Sequence, residues 1–182
     1  MTSDLAPTAG RLALAPHACF ACGELSEHGM HLVLHVDGAS SWTELKLPAA
    51  FQGWEGIAHG GIVATILDEV MAWALASADA WAVTARMTVE FRRPVVVGRR
   101  IRGEGRLVER RHRLLSTAGR LIDAETGAVL ATAEGTYVEV PEKRKRELQE
   151  RYRFRAAAAD DPPGGVDGGT PAAGASGPRG AP

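Results

Sequence analysis

The chain has 182 residues, 45% of them hydrophobic, and a formal net charge of −1, which suits one domain with its own core and does not by itself argue for nucleic acid or a membrane surface. No run of 18 apolar residues occurs and the acidic start is broken by Pro7, so neither a membrane span nor a secretory signal is expected, and Cys19 and Cys22 are expected in the reducing cytoplasm. Charge is uneven, at −7 over residues 1–85, +8 over 86–120 and −2 over 121–182; the middle block is rich in arginine, which suits bidentate phosphate contacts.

In chain order, residues 1–16 read as a flexible leader of Ala, Pro, Thr and Gly. His17, Cys19, Cys22, His28 and His31 follow. A Cys-x-x-Cys pair near histidines invites a zinc reading, and His17, Cys19, Cys22 and His28 supply four ligands on paper. No second Cys-x-x-Cys and no His-x(3–5)-His spacing closes that pattern. The expectation is therefore no metal, and a folded arm with small buried thiols turned tightly at Gly23. Residues 30–36 read as a strand, Asp37-Gly38 as a turn and residues 41–47 as the partner strand. In that partner Trp42, Glu44 and Lys46 alternate with Thr43, Leu45 and Leu47, the period of a half-buried strand. Pro48 ends it, and a loop over 49–58 with Gly53 and Gly56 follows.

Residues 61–75 carry no proline, no internal glycine and apolar side chains on nearly every face. A helix apolar all round is a buried one, and this stretch is shorter than the ~20 residues that cross a bilayer. Its ionisable groups are Asp68 and Glu69. Burying a carboxylate costs several kcal/mol unless it is paired or neutralised. One step of ~100° round the helix lets one of them reach the rim while the other stays inside. Chemistry is expected there.

Four strands follow, over 82–91, 99–108, 113–122 and 128–140. The second sets Ile101, Gly103, Gly105 and Leu107 against Arg100, Arg102, Glu104 and Arg106. Small residues on the apolar face let a strand lie close against a helix. The last two join at 123–127, a hairpin loop with Gly127 at its left-handed position. Pro141 closes a domain over 17–140. Residues 141–159 read as a charged helical extension and 160–182 as a disordered Gly/Pro/Ala-rich tail.

Two strands, one long buried helix and four short-linked strands argue for an α+β domain, an antiparallel sheet of about six strands wrapped round a central helix in the hotdog manner. His59-Gly60-Gly61-Ile62, with Asp68 nine residues after the histidine, resembles the motif of the PaaI-like acyl-CoA thioesterases, a branch of the hotdog superfamily. The resemblance covers roughly residues 17–140. Cys19-Phe20-Ala21-Cys22-Gly23 with Gly29-Met30, Phe51-Gln52-Gly53, and Phe91-Arg92-Arg93-Pro94-Val95 with Gly98 resemble one subgroup, which has Asn-Pro where Ser26-Glu27 stands and Leu at Met30.

The resemblance implies hydrolysis of an acyl-CoA thioester to free acid and coenzyme A, without a cofactor. It further implies a homodimer with shared active sites, or a tetramer built from it, with no nucleic-acid or membrane partner. Asp68 becomes general base or nucleophile, the Gly60 amide the oxyanion donor, and His59 the neighbour of the thioester carbonyl. Thr84 falls where relatives carry a water-positioning Ser. Gln52 adjoins Gly53, where some relatives place an Asn, and either substitutes for that Asn or only ties down the loop. Gly61, Glu69, Arg92 and Arg93 are expected at the substrate, the arginines toward phosphate, with Glu69 the alternative active carboxylate. Trp54, Trp73, Trp81 and Met71 are either acyl-pocket lining or plain core. A hotdog dehydratase would resemble Asp-x(4)-His on the helix, and Trp73 occupies that position. A non-catalytic acyl-CoA-binding hotdog protein is the open alternative.

Overall fold

The computed structural model describes residues 9–153 and 155–157. The expectations for residues 1–8 and for the 160–182 tail lie outside the described residues. Strands β1 (Ala9–Ala13), β2 (His35–Asp37) and β3 (Ser40–Lys46) precede a small hairpin of β4 (Gln52–Trp54) and β5 (Ile57–Ala58), which leads into helix α1 (Gly60–Trp73). Next come β6 (Ala82–Phe91), β7 (Arg100–Arg111), β8 (Leu114–Asp123), β9 (Val129–Glu139), helix α2 (Glu142–Tyr152) and β10 (Arg155–Ala156). All strands but the small hairpin form one sheet in the order β10-β1-β2-β3-β7-β8-β9-β6. Every pairing is antiparallel, and α1 packs on one face. This is the hotdog fold.

Glycines decide how closely α1 approaches. A Cβ on Gly105 would lie 2.2 Å from the Val70 carbonyl oxygen, and one on Gly103 2.9 Å from Ile66 Cγ2. Gly119, the cross-strand partner of Gly105, lies under Met71. A bare strip across β7 and β8 thus takes the helix, and the Ser41 hydroxyl donates to the Val70 carbonyl from β3. The helix buries Val63, Ile66, Leu67, Val70 and Met71 against Leu47, Ile101, Leu115, Leu121 and Tyr137. Fully burying each such side chain stabilises by ~1.5–3 kcal/mol.

Some local expectations give way. The leader supplies a strand, β1, which pairs with β2 through Gly10↔Val36 and with β10 through Leu12↔Ala156. These short additions bring the sheet past six strands. The strand expected over 30–36 narrows to His35–Asp37. Met30 and Leu32 instead donate to the Phe20 and Ala21 carbonyls, each at 2.8 Å, and His31 turns into the left-handed region at φ 49°. The alternating Met30, Leu32 and Leu34 are buried all the same, while their backbone serves the arm. Helix α2 stops at Tyr152, where Arg153 takes φ 42°, so the chain can return as β10.

Strand β6 closes the far edge of the sheet. Among the described residues nothing pairs with its outer side, and Val83 and Phe91 on it are 59% and 58% exposed. No helix among the described residues is long and apolar enough to cross a membrane.

Candidate active site

The turn before α1 is set by its cap. His59 has extended backbone, and its Nδ1 accepts the Gly61 N–H at 3.0 Å. An accepting Nδ1 places the ring proton on Nε2. The Gly60 N–H opens the helix, where the first amides have no intrahelical carbonyl to serve and the helix dipole is positive. Gly60 is exposed, and a Cβ on it would sit 3.5 Å from the Phe91 ring. A Cβ on Gly53 would lie 3.2 Å from His59 Cδ2, so that glycine lets β4 pass beside the imidazole. The Gln52 side-chain Oε1 accepts the Gly56 N–H at 3.1 Å, and the side chain therefore ties down the β4–β5 turn.

Two turns further along α1, Asp68 faces the junction of β6 and β9. Its Oδ1 accepts from the Thr84 hydroxyl at 2.8 Å and from the Tyr137 hydroxyl at 2.7 Å. Thr84 and Tyr137 are cross-strand partners, and a bulge follows at once between Thr84 and Arg86, where bulges commonly re-aim a side chain. Tyr137 is fully buried. Burial first, and the adjacent Asp68 charge second, raise its phenol well above the ordinary tyrosine range, so it stays a donor. None of the described hydrogen bonds ends on Asp68 Oδ2.

Tyr137 escapes the sequence reading. The signal is present, however: the inward positions of β9 run Ala131, Ala133, Gly135 and then Tyr137. A tyrosine ending a row of small residues brings its hydroxyl under the helix, where it needs a partner.

Glu69 belongs to a different neighbourhood. Its Oε1 accepts from Trp73 Nε1 at 2.8 Å, and it forms a cluster with Cys19 and Cys22. Burial pushes its carboxyl up to about 7, with the charges of Cys19 and Asp68 adding to the shift. The Cys22 thiol hydrogen bond is the largest cause that brings Cys19 down to about 5, against burial and with help from the Cys22 and Ala21 backbone amides. Cys22, the donor of that bond, is raised in turn, and burial adds to it. A cavity of about 220 Å³ beside this cluster is lined by Leu14, Ala72, Trp73 and Trp81 among others. Trp54, by contrast, is 83% exposed and Met71 is core.

Arg92 and Arg93 follow Phe91, whose ring comes 3.5 Å from where a Cβ on Gly60 would sit, but Arg92 itself lines a cavity of about 920 Å³ with Trp42, Thr88, Glu90 and Arg102. Arg92 is paired with Glu90. Arg93 lines a shallow cavity with Pro94, Val96 and Arg99, and Arg99 already faces Asp123 and Glu125, both at 3.3 Å. The structure thus groups His59, Gly60 and Gly61 at one end of α1 and Asp68, Thr84 and Tyr137 further along it. Gln52 and Glu69 are each engaged elsewhere. An amide with positive potential and an oriented carboxylate are the two elements of water-driven acyl transfer.

Residues 55–130 match the sequence model of the thioesterase superfamily. Among solved structures, a thioesterase superfamily protein is similar at 28% identity over 62% of this chain and 55% of that one, with a TM-score of 0.58. The PaaI protein from the E. coli phenylacetic acid degradation operon is similar at 16% identity over 62% and 81%, TM-score 0.58. A Streptococcus mutans UA159 protein solved with acetyl CoA is similar at 18% identity over 56% and 82%, TM-score 0.54. The chain therefore spans little more than half the length of the first of these structures. No curated protein matches the chain in sequence.

Proposed function

We propose that the chain is an acyl-CoA thioesterase of the thioesterase superfamily, cleaving an acyl-CoA thioester to free acid and coenzyme A; the match of residues 55–130 to that superfamily's model and the PaaI-like hotdog fold support the reading. The observation that carries the reading is the pair of hydroxyls, from Thr84 and Tyr137, that converge on Oδ1 of Asp68. They fix the carboxylate plane and leave Oδ2 to act on water. Asp68 takes a proton from water as the water oxygen attacks the thioester carbonyl carbon. The Gly60 N–H holds the oxyanion, and the His59 Nε2–H lies beside the same carbonyl. Collapse breaks the C–S bond, and the coenzyme A thiolate takes up the proton that Asp68 carried. A neighbour of similar fold was solved with acetyl CoA, which supports the carrier, and Arg92 and Arg93, directly after Phe91 at the end of β6, are the cations we assign to its phosphates.

Gly60 and Asp68 are eight residues apart, which on a helix is ~12 Å along the axis and ~80° round it. Both must come within about 3 Å of one thioester. A two-fold dimer meets this requirement, because antiparallel α1 helices bring Gly60 of each chain near Asp68 of the other. The unpaired outer edge of β6, with Val83 and Phe91 exposed on it, supports that strand as the contact. The reading keeps the cytoplasmic location expected from the sequence.

The test is hydrolysis of aromatic, medium-chain and long-chain acyl-CoAs, followed by chromatography of released coenzyme A, with Asp68→Asn beside the wild type. Turnover lost in that variant supports the reading. Tight acyl-CoA binding with no turnover on any substrate sinks it, and makes the chain a binding module.

A further inference from the structure

Hydrolysis at Asp68 uses neither cysteine. The Cys-x-x-Cys turn is nevertheless tightly built. The Gly23 N–H donates to the Cys19 carbonyl at 2.9 Å, and a Cβ on Gly23 would lie 2.3 Å from the Cys19 nitrogen, so only glycine closes it. Folded this way, Cys19 and Cys22 present their sulfurs together with a carboxylate oxygen of Glu69, all within 4.8 Å of one another. This is the one such group of potential metal donors among the described residues. His17 stands next to it, buried, with Nε2 3.4 Å from Cys22 Sγ. Its Nδ1 lies 3.0 Å from the Ala15 carbonyl oxygen, an acceptor that takes only an N–H. Nε2 is thereby left with its lone pair toward the sulfurs.

We propose that His17, Cys19, Cys22 and Glu69 bind one tetrahedral zinc ion. Two thiolates, an imidazole and a carboxylate are the ligand types zinc takes in fours, and the sulfurs select against magnesium and calcium. Zinc–sulfur bonds of ~2.3 Å set two thiolates about 3.8 Å apart, so the two sulfurs and the Glu69 oxygen, all within 4.8 Å of one another, close in by roughly an ångström or less. The His17 ring, 3.4 Å from Cys22 Sγ but outside that group of three, turns further toward them. The outer partners that such sites use are in place: the Ala15 carbonyl on His17, the Trp73 indole on Glu69, and backbone amides of Ala21 and Cys22 on the Cys19 sulfur. Second partners of this kind fix ligand orientation. Binding displaces the Cys22 thiol proton. The ion joins the arm over residues 15–34 to α1 one residue past Asp68. His28, the fourth ligand that the sequence suggests on paper, is exposed and outside the group. The true fourth donor comes from the helix, nearly fifty residues along the chain, where no local spacing could show it.

The reduced, metal-free full chain is titrated anaerobically with cobalt(II), then with zinc, while absorption, far-UV circular dichroism and melting temperature are followed. The expected result is a thiolate-to-cobalt charge-transfer band with tetrahedral ligand-field bands, saturating at about one ion per chain, bleached by zinc, and accompanied by a higher melting temperature. Cys22→Ser abolishes the band, and Glu69→Gln and His17→Ala each weaken binding by about tenfold or more. A folded, reduced wild type with no such band at stoichiometric cobalt overturns the proposal, whatever the variants do. So does a band that persists in a natively folded Cys19→Ser, Cys22→Ser double variant. None of these readouts depends on thioester cleavage.

Discussion

Replacing Gly105 with alanine tests the seat of α1. The added methyl carbon would lie 2.2 Å from the Val70 oxygen and 2.7 Å from the Met71 nitrogen, about 1.2 Å short of the 3.4 Å at which ordinary contact begins. Both neighbours are helix backbone and cannot swing aside as a side chain does. Either α1 lifts or β7 bows by about that distance. Asp68 sits two residues before Val70, and its bonds of 2.7 and 2.8 Å do not survive such a lift. Overpacking a core costs ~1–3 kcal/mol, and backbone collision puts this site at the upper end, roughly a 6–12 °C fall in Tm for a domain of this size. Gly119→Ala is the control, because its methyl meets Met71 Cγ at 3.0 Å and Sδ at 3.2 Å, a thioether that can repack for about 1 kcal/mol. Thermal melts by circular dichroism give the stability and steady-state turnover gives the activity. A Gly105→Ala protein that melts within about 2 °C of wild type and turns over normally refutes the reasoning.

Three further outcomes concern the site. Asp68→Asn keeps size and hydrogen bonding but loses the base, so kcat falls by ~10²–10⁴ while the fold survives, an amide being cheaper to bury. Near wild-type turnover in that variant, with a dead Glu69→Gln, would move the base to Glu69. Tyr137→Phe keeps the buried ring and removes one bond to a charged acceptor, worth ~1.5–3 kcal/mol, so kcat drops by about 10- to 100-fold with little change in KM; an unchanged kcat in both Tyr137→Phe and Thr84→Val shows that neither hydroxyl orients the carboxylate. Separately inactive His59→Ala and Asp68→Asn chains, unfolded, mixed and refolded together, should recover about a quarter of wild-type activity, since half the dimers are mixed and each has one intact site. No recovery, once mixed dimers are seen to form, assigns each site to one chain.

Local and periodic features of this protein were legible in the order of its residues. The run of residues 61–75 had to form a largely buried helix, observed over Gly60–Trp73, because apolar side chains on nearly every face leave little for water. The alternating glycines of β7 marked the strand beneath it, and a carboxylate inside that helix marked where chemistry could sit. The hairpin at Gly127, with φ 71°, followed from turn chemistry alone. Tertiary structure decided whatever depends on distant segments meeting. Asp68 and Glu69 are neighbours in the chain, yet α1 turns one toward Thr84 and Tyr137 and the other toward Cys19, Cys22 and Trp73. No spacing in the sequence carries that choice, because it is made by which strand and which arm pack against each side of the helix. The leader strand has the same origin. Residues 9–13 lack a strong strand pattern, and become β1 because β2 and β10 present edges whose N–H and C=O groups need partners.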